Sequence, residues 1–553
     1  QQPGFQWAKS MGGSIGDETP SAITTDASGN VYTIGVFTSL SDFDPGPSTY
    51  TLNATAPSDI FISKLDAAGN FVWAKAIGGP SGDVPYSIAA DANGNVYSTG
   101  WFDGTTDFDP GAANYNLTAA LRDQFILKLD AGGNFVWAKQ IGASTASMNP
   151  VAIALDAAGD VYTTGNFEGT ADFDPGVGTY TMVSTGASDL FILKIDAAGN
   201  FVWANRYGSV GNDYVKGMAL DAFGTVYTIG TFDAAIDFGP SLNSTTLTPV
   251  SGADMFFSVV DGSGNFIFAK QLGDPGSFAI PYSIDIDAQN NIYATGIFGG
   301  GLDFDPSANT ANLNSIGNVD GFILKLDAAG NYVWAKNIGG ANASCLATCI
   351  KTDAIHNVYI TGYFDMPIDF DPGLASNVLN VSGSLDAYLL KLDPTGNFTW
   401  VKKFGGNGLD IGTAIALDPA SNIHLTGRFE QSADFDPTAG TTTLTSAGWT
   451  DVFIVKLNQS LTGLKEQTTA NALSVFPNPA KENITIELDQ AAFDKLTGNV
   501  TIEIYNALGQ KLSQETLNDK RSGINTAFLT KGLYVVRIIN NESVIATQKI
   551  IKE

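Results

Sequence analysis

The sequence predicts an all-β chain: a seven-bladed β-propeller closed by its own N-terminal strand, followed by a small Ig-like β-sandwich. Three observations carry this. Glycine is abundant (61 of 553 residues), and short runs alternating β-branched or aromatic with small or polar residues are cut by Asp/Asn/Gly turns. A phrase of the form FxWAK recurs with its aromatic at Trp7, Trp73, Trp137, Trp203, Phe268, Trp334 and Trp400, a spacing of 64 to 66 residues. The repeat then stops after Leu457, and a second pattern takes over.

Each period reads as four strands. In the second period an innermost strand, Ser87–Asp91, leads through an ANG turn to Val96–Phe102; a long loop leads to Phe125–Asp130, and an AGG turn to Phe135–Ile141. Turns of this composition suit hairpins, because Gly and Asn accept positive φ. The second strand carries Gly35, Gly100, Gly165, Gly230, Gly296, Gly362 and Gly427, each followed two residues later by Phe. A glycine within a strand marks close approach of another backbone; here it is expected to make room for the neighbouring blade, with the Phe filling the seam. Four strands repeated seven times give a propeller. The first period opens with only its fourth strand, Phe5–Lys9, and the last ends with only its third, in Asp451–Leu457. The N-terminal strand is therefore expected to pair with Phe453–Leu457 and lock the ring.

Residues 458–471 lack the repeat and read as a linker between a propeller at 1–457 and a domain at 472–553. That last segment alternates short strands with Asn, Gly and Pro, as in a small antiparallel sandwich. It carries PNP at Pro477, Asn478 and Pro479, YNALGQ from Tyr505 through Gly509, GLYVVRI from Gly532 with Tyr534, and a terminal KIIKE containing Lys549. The repeated phrase DxFIxKLDxxGNxVWAKxxGG…YSIAxDxxGNVYxTGxF resembles the bacterial SBBP-type β-propeller repeat over residues 5–457. The tail is similar to the type A C-terminal sorting domain of type IX secretion cargo in the Bacteroidetes. That second resemblance implies export across the outer membrane to a secreted or cell-surface location, and recognition of residues 472–553 by an outer-membrane shuttle protein and a translocon. It further implies that a cell-surface sortase removes the domain and attaches the passenger to lipopolysaccharide.

Charge narrows the partners. The formal net charge is −28, and because residues 461–553 hold ten basic and ten acidic side chains, all of it belongs to the propeller. Such a ring disfavours nucleic acid and anionic membrane surfaces, whose binding needs clustered cations. No apolar run approaches the ~20 residues of a membrane-spanning helix. The start, QQPGFQWAKS, fits a chain whose signal peptide has been removed, and equally one trimmed at this point. Cys345 and Cys349 stand close enough for a local disulfide in an oxidising compartment, the other reading being two small residues packed at the start of a strand.

The candidate chemistry lies in an acidic loop between the second and third strands. DFDP recurs with its aspartates at Asp42 and Asp44, Asp107 and Asp109, Asp172 and Asp174, Asp303 and Asp305, Asp369 and Asp371, and Asp434 and Asp436, while the fourth blade has Asp237-Phe238-Gly239-Pro240. A further aspartate opens the third strand: Asp59, Asp123, Asp189, Asp254, Asp320, Asp386 and Asp451. Hard oxygen ligands in this number suit calcium; the competing account is turn chemistry, in which Asp caps its own backbone and Pro fixes φ. Enzyme signatures are thin. GGSIG at 12–16 satisfies G-x-S-x-G but falls in a propeller loop, and His356 and His424 fall in or beside inner hairpins without the neighbours of a general base. The expected role is a non-enzymatic, monomeric binding or structural module, adhesin-like, for a surface glycan or protein; the alternative is a polysaccharide hydrolase or lyase working from the central pocket. The blade-to-blade connections vary most in sequence and are expected to carry specificity.

Overall fold

The computed structural model describes residues 2–143, 145–239, 245–250, 252–459, 473–488, 493, 500–506, 511–517, 519–540 and 543–552. The chain divides into two compact units, residues 2–459 and 460–553. The described segments are strands and the turns between them, and no helix among them is long and apolar enough to cross a membrane.

The first unit is built from four-stranded antiparallel meanders over residues 18–77, 83–141, 147–207, 213–272, 278–338 and 345–406, with a seventh set formed by residues 410–458 and Gly4–Met11. These are called blades one to seven below. The innermost strands pack against one another in sequence order, and Glu18–Thr25 of blade one also packs against Asp410–Leu417 of blade seven, which closes the cycle. Closure follows the expected pairing: Phe5 lies opposite Leu457, Ala8 opposite Val455 and Met11 opposite Val452. The Gly4 N–H adds a bond to Asn458 Oδ1 at 3.1 Å, so the last propeller strand runs to Asn458. Of the expected linker, residues 460–471 lie outside the described residues.

The hairpins form for a local reason repeated around the ring. Asp26 Oδ1 accepts from the Ser28 and Asn30 N–H groups at 2.9 and 3.0 Å, while Gly29 takes φ of 75°. Asp66 does the same for Ala68 and Asn70 in the outer turn. In blade six the left-handed position falls to His356 (φ 65°), so this histidine is a turn residue. His424 is buried at the place where other blades carry a tyrosine that bonds the turn aspartate, and its Nε2 lies 3.3 Å from Asp418 Oδ2.

Three aromatics from each blade form the filling between blades. In blade one the second-strand Phe37 meets the loop Phe43 edge-on at 5.5 Å, and Phe43 meets the third-strand Phe61 at 4.9 Å. All three share a cluster with Val452 and Ile454 of blade seven, so they fill the seam as expected. The second-strand glycine, however, does not make room for the neighbouring blade. A Cβ on Gly35 would overlap the Thr19 carbonyl and, at 2.7 Å, both Pro20 Cα and Phe61, all within its own blade.

The second unit has two antiparallel sheets. Leu473–Phe476, Asn483–Leu488 and Arg521–Asn525 make one; Val500–Asn506, Lys511–Thr516, Gly532–Asn540 and Ser543–Lys552 make the other. Ile484 and Ile486 of the first sheet share one core with Ile502, Ile504, Val536 and Ile538 of the second.

Candidate functional site

Three places in the molecule gather polar side chains: the DFDP loops, the seams between blades, and the central channel.

In the loops, each first aspartate organises the backbone around it. Asp172 Oδ1 accepts from the Asp174 and Tyr180 N–H groups at 3.0 and 2.8 Å, and Asp174 Oδ1 accepts from Gly176 at 2.8 Å. The same bonds recur in the other five loops. Asp42, Asp107, Asp303, Asp369 and Asp434 each accept from the N–H of the second aspartate of their own string. The second aspartates, Asp44, Asp109, Asp305, Asp371 and Asp436, each accept in turn from the N–H two residues on.

These are the bonds that the turn account of the acids describes. One carboxylate oxygen of Asp44, Asp109, Asp174, Asp305, Asp371 and Asp436 is committed to its own turn, and so is one of Asp42, Asp107, Asp172, Asp303, Asp369 and Asp434. The third-strand aspartates Asp59, Asp123, Asp189, Asp254, Asp320, Asp386 and Asp451 are buried at the blade seams, and the loop pair is not brought together with the third-strand acid of its own blade. Instead Gly78, at the end of blade one, bridges to Asp107 of blade two and packs on the Asp59 carboxylate, so the acids of adjacent blades become neighbours. Among the described residues no group of three His, Cys, Asp or Glu side chains is placed to hold a metal ion. A short Asx-type turn aims one carboxylate oxygen back at its own N–H groups. Asp303→Ala is expected to lower stability by about 1–2 kcal/mol through the lost backbone bonds, and melting in Ca²⁺ or in EDTA is expected to give one midpoint.

The seams hold pairings that the sequence did not flag. In Asp59, Asp189, Asp386 and Asp451 one oxygen accepts from a loop N–H four residues earlier, at 2.8–2.9 Å, and Oδ1 has no hydrogen-bond partner. At four seams the next blade sets a second fully buried carboxyl beside the first: Asp83 by Asp59, Asp213 by Asp189, Asp410 by Asp386, and Glu18 by Asp451. Fourth-strand residues then divide these seams into two kinds. Arg206 reaches Asp189 at 2.5 Å and Lys403 reaches Asp386 at 3.0 Å, whereas the equivalent positions opposite Phe61 and Phe453 are Ala76 and Ser10. Burial, together with the neighbouring acid, raises Glu18 and Asp83 to about 7. Burial likewise raises Asp410 to about 7 and Asp213 and Asp451 to about 6. The signal was present as an acid at one fixed distance before the second-strand glycine, at Glu18, Asp83, Asp213 and Asp410, but an acid in a connection reads as a surface residue.

The channel is bounded by the innermost strands, which enclose a cavity of about 620 Å³ lined by residues from all seven blades. Every innermost strand carries a β-bulge immediately after the residue opposite the second-strand glycine, for example between Val215 and Gly217. The extra residue is Ser21, Tyr86, Val151, Lys216, Tyr282, Thr348 or Thr413 in turn. A bulge re-aims a side chain without altering the rest of the strand, so this position varies freely on a repeated scaffold; Val151, Lys216 and Tyr282 line the cavity. Further along the strands, Asp285 Oδ1 pairs with Lys351 Nζ at 3.0 Å, and its Oδ2 accepts from the Thr352 N–H and hydroxyl, each at 2.8 Å.

The bulge also decides the cysteines. Both Cys345 and Cys349 are buried free thiols, so the local disulfide does not form. The bulge between Ala347 and Cys349 turns them to opposite faces of the strand: Cys345 packs toward blade five and Cys349 toward blade seven.

In the C-terminal unit, the PNP segment and the strand that begins at Gly532 both meet the last strand, Ser543–Lys552. Asn478 Oδ1 accepts from the Ile551 N–H at 2.8 Å, and Ala480, which follows Pro477–Pro479, donates to the Ile551 carbonyl at 2.6 Å. Gly532 lies opposite Lys552 and Val535 opposite Lys549. The Tyr534 hydroxyl donates to the Thr530 carbonyl at 2.8 Å, and Arg537 stacks on the Tyr505 ring at 4.6 Å. Gly509 lies outside the described residues.

Comparison with known proteins agrees with both halves. Residues 474–553 match the secretion system C-terminal sorting domain, and residues 72–109 and 136–166 match the β-propeller repeat. An uncharacterised WD repeat-containing protein of Acanthamoeba polyphaga mimivirus is 23% identical over 511 residues, covering 77% of this chain and 36% of its own. The regulatory protein FlaEY of Caulobacter vibrioides is 22% identical over 405 residues, covering 68% and 39%. The chain thus spans little more than a third of the length of these relatives. Among solved structures, a protein of unknown function from Bacteroides caccae is similar over 62% of this chain and 89% of its own, at 9% identity and a TM-score of 0.29. PorZ, a surface component of the type IX secretion system of Porphyromonas gingivalis, is matched over 98% of this chain and 100% of its own, at 11% identity and a TM-score of 0.14. The chain is a β-propeller repeat protein with a C-terminal secretion-system sorting domain, which marks it as cargo exported across the outer membrane to the cell surface or the extracellular space.

Proposed function

We propose that the chain is type IX secretion cargo whose residues 472–553 are read by an outer-membrane shuttle protein and a translocon, and whose propeller is a monomeric, adhesin-like binding module. The observation that carries the first half is the convergence of the PNP segment and the terminal strand on one separately cored unit at the C-terminal side of the chain. For the second half, support comes from the channel. The scaffold repeats, but the three bulged residues that line the cavity are Val151, Lys216 and Tyr282, three different chemistries, as expected of a binding surface on a rigid support.

Deleting residues 473–553 is expected to lower the exported fraction at least tenfold and to leave the propeller in the periplasm. Fusing residues 460–553 to an unrelated passenger is expected to carry it out. Undiminished export of the truncated chain would overturn the reading. The alternative enzyme would have to work from the same cavity. A two-carboxylate glycosidase finds only Asp285 among the lining residues, tied to Lys351 and Thr352; a lyase would have Lys216 as its base.

A further inference from the structure

We propose that the propeller's central cavity is an anion site centred on Lys216, and that it takes the carboxylate of a uronate-containing oligosaccharide. This rests on the reading of the propeller as a binding module and names its ligand class. The cavity, about 620 Å³, falls within the ~300–1,000 Å³ of small-molecule sites.

Charge selects the ligand. Only three lining side chains are charged: Lys216, Asp285 and Lys351. Asp285 and Lys351 neutralise each other at 3.0 Å, and both Asp285 oxygens are committed, Oδ1 to that pair and Oδ2 to Thr352. Lys216 has no carboxylate within 4.0 Å among the described residues. Its ammonium stands 5.2 Å from the centre of the Tyr214 ring, which steadies it without supplying a formal charge. A propeller of net charge −28 therefore brings one uncompensated ammonium to its cavity. Burial of that ammonium, with no opposing charge, lowers its pKa. Partial desolvation of this kind is relieved by an anion arriving in the cavity.

The position reinforces this. Lys216 is the bulged residue of blade four, and it is the only charged side chain among the seven bulge positions. Tyr282, the bulged residue of the next blade, lines the same cavity and offers it an aromatic ring. Thr24, Thr25 and Ser87 add hydroxyls to the lining. One cation, one aromatic face and several hydroxyls match a sugar carrying a single carboxylate. A phosphate dianion or a polyanion would meet the same single cation inside a strongly acidic ring.

The test is calorimetric titration of the full chain with three trisaccharides that each carry one uronate residue (galacturonate, glucuronate or mannuronate) among neutral sugars, and with the methyl ester of any that binds. The ester keeps the sugar's shape and removes its charge. At least one uronate is expected to bind, with affinity about tenfold or more weaker for its ester and for Lys216→Met. Lys216→Met is expected to melt no lower than the parent, because it removes a desolvated charge and leaves no ionic partner behind. Equal affinity for ester and acid, unchanged affinity in Lys216→Met, or no binding of any of the three uronates would overturn the proposal. If neutral trisaccharides or an acidic peptide bound instead, and Tyr282→Ala weakened them, the acidic-sugar proposal would fall while the binding-module reading stood.

Discussion

Removing residues 1–11 is expected to open the propeller and to destabilise it by roughly 5–10 kcal/mol. The segment Gly4–Met11 is the fourth strand of blade seven, paired along its length from Asn458 to Val452. Without it, the third strand of that blade loses its partner and becomes an exposed edge. Net hydrogen-bond contributions of roughly 0.5–1.5 kcal/mol each over the ladder, with about 1.5–3 kcal/mol for burying Met11, give the stated range. Met11 is 2% exposed and packs with Val452 and Ile454, while Phe5 and Ala8 pack against Phe453 and Val455. Other contacts also hold this seam: Thr450 Oγ1 donates to Asp17 Oδ1 at 2.9 Å and Thr25 Oγ1 to the Leu417 carbonyl at 3.0 Å. The truncated ring is therefore expected to remain partly assembled at low temperature, yet to melt far earlier and to self-associate through the new edge. Thermal melting and size-exclusion chromatography check this. A shift equivalent to less than about 1 kcal/mol would mean that the ring is held by its inner strands alone.

That closure was readable because a strand missing from one end of a repeat and present at the other can be recognised by letters alone. The same holds for the hairpins, whose Asp, Asn and Gly act on their own backbone within four residues. What the letters conceal is register. The bulge that places Lys216 at the channel is one extra residue relative to a partner strand, and nothing in YVKGMAL distinguishes it from ordinary alternation. The same slip separates Cys345 from Cys349, which a regular strand would put on one face. It also brings the Thr19 carbonyl over Gly35, so the glycine answers to its own blade and not to the next. The seam acids were concealed for another reason. An aspartate read alone belongs in water, and only the ring places Asp83 against Asp59 with Ala76 opposite Phe61. The DFDP strings drew attention because they repeat, yet Asp44 and its counterparts Asp109, Asp305, Asp371 and Asp436 serve their own turns. The buried pairs occur at four seams and carry more electrostatic strain.

Those pairs set the second large effect: lowering the pH from 8 to 5.5 is expected to raise the melting midpoint. Glu18 and Asp83 are buried, and burial lifts each to about 7 in the folded chain, against ordinary values of 4.5 and 3.8. The folded state therefore holds protons that the unfolded chain releases. Their stabilising contribution is complete below about pH 4 and is lost as pH rises through 6 to 7. Asp410, Asp213 and Asp451 act in the same direction, with folded values of about 7, 6 and 6. The hairpin aspartates act oppositely. The Asn134 side chain holds Asp130 below its ordinary value, and the Asn200 backbone N–H does so for Asp196, so their contribution disappears as pH falls beneath that range. Stability is thus expected to peak between about pH 4 and 6. Glu18→Gln and Asp83→Asn make the uncharged state permanent, and each is expected to stabilise the protein at pH 8 by about 1–3 kcal/mol and to flatten the alkaline limb. Lys403→Met should do the reverse at its seam: it strips the cation from Asp386 beside Asp410, so the loss above pH 7 should steepen. A midpoint that falls on acidification from pH 8, or an alkaline limb unchanged in Glu18→Gln and Asp83→Asn, would mean that the seam carboxyls stay ionised in the fold and that something other than a proton balances them.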